Sequence, residues 1–346
     1  MQKRKCGHSD LELFPLGLGC WEFGGGDYWG TSSQQDTDLI VAKAIDSGIN
    51  YFDTAEVYND GRSETSLGLA LRPFQRDRVI VGSKIAPSNC YPGEITRHCE
   101  ASLARLGTDY IDLYMLHWPV NAISLKHFTD DLPKIANPPG LEAVQAEFAQ
   151  LRKSGKIRHF GVSNFSPERL AELILQPAVN ELPYNLLCRA IEFDCLDVCR
   201  QRNTGIISYM TLLQGVLGKT LTDIDTLPPQ LKRTRHFDSR RNPLARHGAP
   251  GAEETLRETL SELHKEAARS HSLLPELAIR WAVSNSDICC ALVGSRSPER
   301  LEANVRAAQH VLPADVVQCL NRITGPLKTE LGPSLDYYES IENNRT

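Results

Sequence analysis

At 346 residues, with 41% hydrophobic and 23% charged side chains, the chain has the composition of a soluble globular protein with enough apolar material for a large core. Its net charge of −5 argues against a general nucleic-acid binder, which needs a basic surface to displace counterions. No apolar run reaches membrane-spanning length, and the basic start Met1-Gln2-Lys3-Arg4-Lys5 has no apolar stretch after it, so neither a membrane span nor a secretory signal is expected. The ten cysteines include the adjacent pair Cys289-Cys290 and no C-x-x-C, which reads as reduced, mostly buried thiols in a cytoplasmic protein. Cys195 and Cys199 share a helical face but lack a second ligand pair, and no metal site is assigned.

In chain order, Leu11 to Phe14 and Pro15 to Trp21 read as short strands. They are followed by Gly24-Gly25-Gly26 and the aromatic loop Asp27-Tyr28-Trp29-Gly30. A helix is predicted from Asp36 to Ser47, where Leu39, Ile40, Ala44 and Ile45 recur at helical spacing and Gly48 ends the run. Strands are then predicted at Ile49–Asp53, Val79–Ser83, Ile111–Leu116, Ile157–Val162, Ala178–Leu182, Gly205–Tyr209 and Ile288–Val293, with helical segments between them. With Leu16–Cys20 these make eight strand-then-helix units, and their continuous apolar runs suit a parallel sheet covered on both faces.

The predicted fold is therefore a (β/α)8 TIM barrel with an N-terminal β-hairpin within residues 1–23. The whole chain, 1–346, forms a single domain that ends in a helix and tail over 312–346. A doubly wound sheet is the alternative, but its dinucleotide fingerprint needs G-x-G-x-x-G, and Gly17-Leu18-Gly19-Cys20-Trp21-Glu22 lacks the third glycine. Two long loops, Trp118–Gly140 after the fourth strand and Gly218–Gly251 after the seventh, are expected on the catalytic face. The second carries Lys232, Arg233, Arg235, Arg240, Arg241 and Arg246, and reads equally well as a solvated basic loop or a flap over cofactor phosphates.

Three apolar runs end in or just before residues capable of proton chemistry: Asp53 with Tyr58, Lys84, and His117. They lie roughly thirty residues apart, the length of a strand-plus-helix unit, so successive barrel strands would bring them to one mouth. A phenol beside an ammonium, with an imidazole nearby, suits protonation of a carbonyl oxygen as hydride arrives from a cofactor. Each residue alone has a structural explanation: Asp53 as a turn cap, Tyr58 and Lys84 as surface residues, His117 as a core histidine.

The segments 48–58 (GINYFDTAEVY), 102–114 (SLARLGTDYIDLY), 161–165 (GVSNF) and 294–300 (GSRSPER), in this order, resemble the aldo-keto reductase family across nearly the whole chain. The resemblance implies a barrel that binds NADP(H), with NAD(H) less favoured, and reduces small aldehydes or ketones. Tyr58 is then the general acid, Lys84 lowers its pKa, Asp53 orients Lys84, and His117 bonds the substrate oxygen. It further implies that Ser163, Asn164 and Glu181 bond the nicotinamide carboxamide and that Tyr209 stacks on the ring. Ser295, Arg296 and Arg300 would hold the 2′-phosphate, and Asn304 would lie near adenine.

The chain departs from the family in two places. Glu181 stands where many members have glutamine, and its negative charge is expected to favour the oxidised, cationic ring. Ala303 stands where an acidic or amide residue often bonds adenine. Trp21, Tyr28, Trp29 and Trp118 are candidate substrate walls, with Tyr337 and Tyr338 closing over them. Two alternatives to a carbonyl reductase are a cofactor-binding redox-sensing regulatory subunit with little turnover and a metal-dependent barrel hydrolase, the latter disfavoured by the absence of histidine pairs.

Overall fold

The computed structural model describes residues 2–218 and 226–346. A two-stranded antiparallel hairpin, β1 (Arg4–Lys5) and β2 (Glu12–Leu13), precedes the eight parallel strands of a closed barrel. These are β3 (Leu16–Gly19), β4 (Tyr51–Asp53), β5 (Ile80–Ile85), β6 (Ile111–Leu116), β7 (Ile157–Ser163), β8 (Val179–Pro183), β9 (Gly205–Tyr209) and β10 (Ile288–Val293). Each pairs with its sequence neighbour, and β10 returns to β3, so the barrel has no free edge.

The predicted strands match these to within a residue or two. Only β1 is absent from them, because a two-residue strand carries no periodicity to detect. The first helix begins earlier than expected, at Gln34, because Ser33 caps it by accepting from the Asp36 backbone N–H. The loop after β6 holds two short helices, Ala122–Leu125 and Leu132–Ala136, each capped by an Asn or Asp side chain. Part of the second long loop, 219–225, lies outside the described residues.

Alternation along the strands explains what faces inward. Tyr51, Leu113, Met115, Val179, Ile207, Cys290 and Leu292 fill the barrel with Leu11 and Leu13 of the hairpin, whereas Phe52, Val81, Ile85, Tyr114, Leu116, Phe160 and Val162 pack outward under the helices. The same two-residue step that sends Tyr51 inward sends Asp53 inward, and it does the same for Gly82 and Lys84, Met115 and His117, Gly161 and Ser163, Val179 and Glu181, and Ile207 and Tyr209. The polar member of each pair is the one nearer the carboxy-terminal end.

Part of the family-like stretch 102–114 is structural. Arg105 pairs with the buried Glu64 at 2.6 Å, Gly107 caps its helix in the left-handed conformation, and Asp112 receives Arg76 and Arg158 at 2.6 and 3.0 Å. Among the described residues no helix is long and apolar enough to cross a membrane, and no group of three or more His, Cys, Asp or Glu gathers as metal ligands. Nine of the cysteines are buried thiols and Cys319 is half-buried.

The barrel interior tolerates no added bulk at Gly82, where a Cβ would come within 2.9 Å of Tyr51 Cζ. Gly82→Ala is expected to cost about 1–3 kcal/mol by overpacking. Gly19→Ala, whose Cβ would meet nothing closer than 3.9 Å, is expected to stay near neutral. Urea unfolding of the two variants checks the contrast.

Candidate active site

Lys84 is the centre of the mouth. Its ammonium is fully buried, donates to Asp53 Oδ1 and Oδ2 at 2.7 and 2.6 Å, and donates again to the Thr54 carbonyl at 3.1 Å. Glu181 Oε1 lies 3.3 Å away on the other side, and Tyr58 Oη lies at 3.4 Å. Burial alone would lower the Lys84 pKa, but its acidic neighbours, Asp53 first, raise it above the ordinary lysine value, so the residue stays cationic.

Tyr58 reaches Lys84 from the loop after β4. That loop turns through Asn59 and Asp60, both with positive φ (52° and 56°), and Asn59 Nδ2 donates to the Trp21 and Phe23 carbonyls at 2.7 and 2.9 Å. Asn59 is a positioning residue that the strand-end pattern does not mark, although an Asn-Asp-Gly run is a recognisable left-handed turn.

The sequence expectation that Lys84 draws the Tyr58 phenol below its usual range is corrected by the structure. Burial pushes the phenol above 10, Lys84 pulls it down, and Asp53 and Glu181 push it up again, so burial prevails. Tyr58 is therefore a phenol, not a phenolate, at neutral pH.

His117 follows β6, with its backbone N–H bonded to the Ile85 carbonyl at 3.0 Å and its ring centroid 5.5 Å from that of Tyr58. Burial, Lys84 and Arg345 hold its pKa well below 6.5, so the ring is neutral. Its Nδ1 is buried without a hydrogen-bond partner. Asn164, at positive φ (65°), donates to the His117 carbonyl at 3.1 Å and accepts from Tyr209 Oη at 2.7 Å, and Ser163 Oγ donates to the Glu181 carbonyl at 3.0 Å. Asp53, Tyr58, Lys84, His117, Ser163, Asn164, Glu181 and Tyr209 thus form one connected cluster.

Glu181 also departs from expectation. Its carboxyl is pushed well above the usual range, first by burial and then by the neighbouring Asp53, despite the pull of Lys84. That direction, toward the protonated form, opposes the standing negative charge read from sequence.

The remaining predicted residues form a second group beside β10. Ser297 caps the helix Pro298–Ala308 by accepting from the Arg300 backbone N–H, while Ser295 Oγ donates to the Ser297 carbonyl at 2.8 Å. Arg296 and Arg300 are exposed, Arg296 reaching the Thr31 carbonyl at 3.3 Å. Asn304 is buried, and its Nδ2 has no partner. Glu22, unmarked in the sequence, accepts from the Ser295 backbone N–H next to these arginines. Its pKa is raised to about 7 by burial, against the pull of Arg296. Its place, one turn past the end of β3 on the catalytic face, is the signal that would have found it.

Trp21 stacks on Tyr28 at 5.0 Å, meets Trp29 edge-on at 5.1 Å and lies 5.9 Å from Tyr58, so these three candidate walls stand together beside the phenol. Trp118 is different. It is buried under the Arg345 guanidinium, 3.8 Å above its ring, and packs beneath the tail. Arg345 is held in turn by Asp336 at 2.6 Å, and Tyr338 accepts from Gln214 Nε2 at 2.8 Å while Tyr337 is core, so the tail closes over the mouth through Tyr338 and not Tyr337.

The basic loop mostly serves itself. Arg235 donates to the Leu331 and Ser334 carbonyls at 2.8 and 3.0 Å, Arg240 pairs with Asp238, Arg241 with Glu253 and Arg246 with Glu339. Arg233 lies over the Tyr28 ring at 4.8 Å and faces Tyr338 at 5.5 Å.

The sequence model of the Aldo/keto reductase family matches residues 15–324. The chain belongs to this family. It is 30% identical over 328 residues to an NADH-specific methylglyoxal reductase of Escherichia coli, covering 89% of this chain and 93% of that protein. An aldo-keto reductase of Bacillus subtilis is 31% identical over 315 residues, with 88% and 87% covered. Among solved structures, a glycerol dehydrogenase from Gluconobacter oxydans superposes with a TM-score of 0.74 at 26% identity, covering 94% of this chain and 95% of that one. A Klebsiella pneumoniae aldo/keto reductase in complex with NADP and acetate superposes at 0.67, with 25% identity and 100% and 99% coverage. This aldo-keto reductase therefore shares both barrel and overall chain length with enzymes of known activity.

Removing the Lys84 ammonium leaves two buried carboxyl groups facing each other. Lys84→Met is expected to destabilise the protein by about 3–5 kcal/mol, the cost of breaking a buried pair, and adding Asp53→Asn is expected to recover part of the loss. Urea unfolding of the single and double variants checks this; equal stability of the two would mean that Asp53 does not depend on the ammonium.

Proposed function

We propose that this aldo-keto reductase is an NADPH-dependent oxidoreductase that reduces small aldehydes or ketones to alcohols, with Tyr58 as general acid. The observation that carries the proposal is the 3.4 Å approach of Lys84 Nζ to Tyr58 Oη, beside a neutral His117 whose Nδ1 is buried without a partner. An oxygen entering between phenol and imidazole would satisfy both.

The residues present suit a dinucleotide. The free buried atoms Glu181 Oε2 and Asn304 Nδ2 lie at the two ends of the proposed site, and the helix start at Ser297 with Arg296 and Arg300 suits a phosphate. A bound reduced nicotinamide supplies hydride to the carbonyl carbon. Ser163, Asn164 and Glu181 would hold its carboxamide and Tyr209 its ring face. The two exposed arginines favour NADPH over NADH, although the Escherichia coli relative is named for NADH specificity.

Tyr58 then donates its proton to the substrate oxygen as negative charge develops there. Lys84 lies next to the phenol oxygen and stabilises the phenolate left behind, while Asp53 keeps the ammonium oriented. His117, held neutral, hydrogen-bonds the same oxygen and sets its position. Trp21, Tyr28 and Trp29 form an apolar wall that keeps water from the reacting carbon.

Tyr58→Phe is expected to retain NADPH binding, read by fluorescence quenching against NADH, and to lose carbonyl reduction by about 10²–10⁴-fold. Because burial raises the Tyr58 pKa, the acid stays protonated throughout the neutral range. The hydride-transfer step of reduction, read in a single turnover so that cofactor release does not enter, should therefore be flat in pH up to at least the ordinary tyrosine value near 10, whereas alcohol oxidation, which needs the phenolate, should rise with pH. Tight NADPH binding with no turnover of any carbonyl would favour a regulatory, redox-sensing role instead.

A further inference from the structure

Two carboxyl groups share one ammonium at the floor of the mouth. Asp53 takes the short contacts to Lys84, at 2.6 and 2.7 Å, and also accepts from Tyr51 Oη at 3.3 Å. Glu181 Oε1 lies farther from the ammonium, at 3.3 Å, and its Oε2 is buried with no partner. If both carboxyl groups were ionised, the cluster would keep an uncompensated negative charge away from water, and leaving a proton on one of them avoids that cost. Asp53 is the better solvated by hydrogen bonds, so the proton belongs on Glu181.

The groups facing Glu181 are Asp53 and Tyr51 on β4, Tyr58 in the loop beyond it, Lys84 on β5, Tyr209 on β9 and Cys290 on β10. Of these only Lys84 is cationic, and Asp53 already occupies it. A second positive charge brought to this floor would find no other carboxyl able to answer it.

We propose that Glu181 senses the redox state of the cofactor: it keeps its proton beside the neutral reduced nicotinamide and releases that proton when the oxidised, cationic ring is bound. This rests on the proposed reading of the mouth as a nicotinamide site. The bond broken is the carboxyl O–H of Glu181, the proton passes to the buffer, and the carboxylate left behind balances the ring charge. No electron is transferred in this step. Burial and Asp53 push the carboxyl toward its protonated form until such a cation arrives. A glutamine at this position has no proton to give up. The ratio of the affinities for oxidised and reduced cofactor then depends on pH, and the ease with which product cofactor leaves becomes a function of pH.

The test is calorimetric titration of the full chain with NADP+ and with NADPH in buffers of different ionisation enthalpy, repeated across the neutral range. NADP+ binding is expected to release up to one proton more than NADPH binding, and the ratio of the two affinities to shift toward NADP+ by as much as about tenfold per pH unit, any titration of Glu22 near the phosphates being common to both cofactors. Glu181→Gln should abolish the difference in release between the two cofactors, Glu181→Asp should restore it, and Tyr58→Phe should leave it intact. Equal proton release with the two cofactors in the wild-type protein, or a difference that survives Glu181→Gln, would overturn the proposal. So would loss of the difference in Tyr58→Phe, which would assign the proton to the phenol. Failure of both cofactors to bind would overturn the nicotinamide reading itself, and Glu181 sensing with it. If Glu181→Gln does not fold, the wild-type contrast between NADP+ and NADPH still decides.

Discussion

A single ammonium buried at the end of β5 organises the site. Lys84 has no access to water, and it is tolerated there because Asp53, Glu181, the Thr54 carbonyl and the Tyr58 hydroxyl surround it. The same contacts dictate the protonation states around it. The cluster keeps Lys84 charged, and Lys84 helps keep His117 neutral. Burial keeps Tyr58 a phenol and pushes the Glu181 carboxyl well above its usual range despite the adjacent positive charge.

The barrel makes this arrangement affordable. Each inward-facing polar residue lies two places beyond an inward-facing neighbour of the same strand, so the polar cluster occupies the last layer of a packed interior. The scaffold around it is held by pairs that have no part in the chemistry, such as Arg105 with Glu64 and Arg76 with Asp112. Above it the carboxy-terminal tail is fastened by Arg235 and by the Asp336–Arg345 pair, which lays a guanidinium on Trp118. Arginines that suggested a phosphate flap are for the most part used to close the protein on itself.

Burial pushes the Tyr58 phenol and the Glu181 carboxyl upward, toward their protonated forms, which is the state that the proposed proton donation by Tyr58 requires. Glu22, its carboxyl pKa raised to about 7 by burial, adds an acidic group beside Arg296 that the sequence pattern does not mark.

Much of this was legible in the sequence. The spacing of apolar runs specifies the eight strands and their order, because a strand and helix together need a set length of chain, and the two-residue period sends Asp53, Lys84 and Glu181 to the same interior. The identity of the candidate acid, cation and imidazole is likewise local to short motifs. Protonation was not legible, since the pKa of Tyr58 and of Glu181 depends on how completely distant strands exclude water and on how many charges they bring within a few ångströms. Nor were the roles of Asn59, Trp118, Arg235 and Arg345, which pair residues tens to hundreds of positions apart. Those contacts exist only once the barrel has closed and the tail has folded back across its mouth.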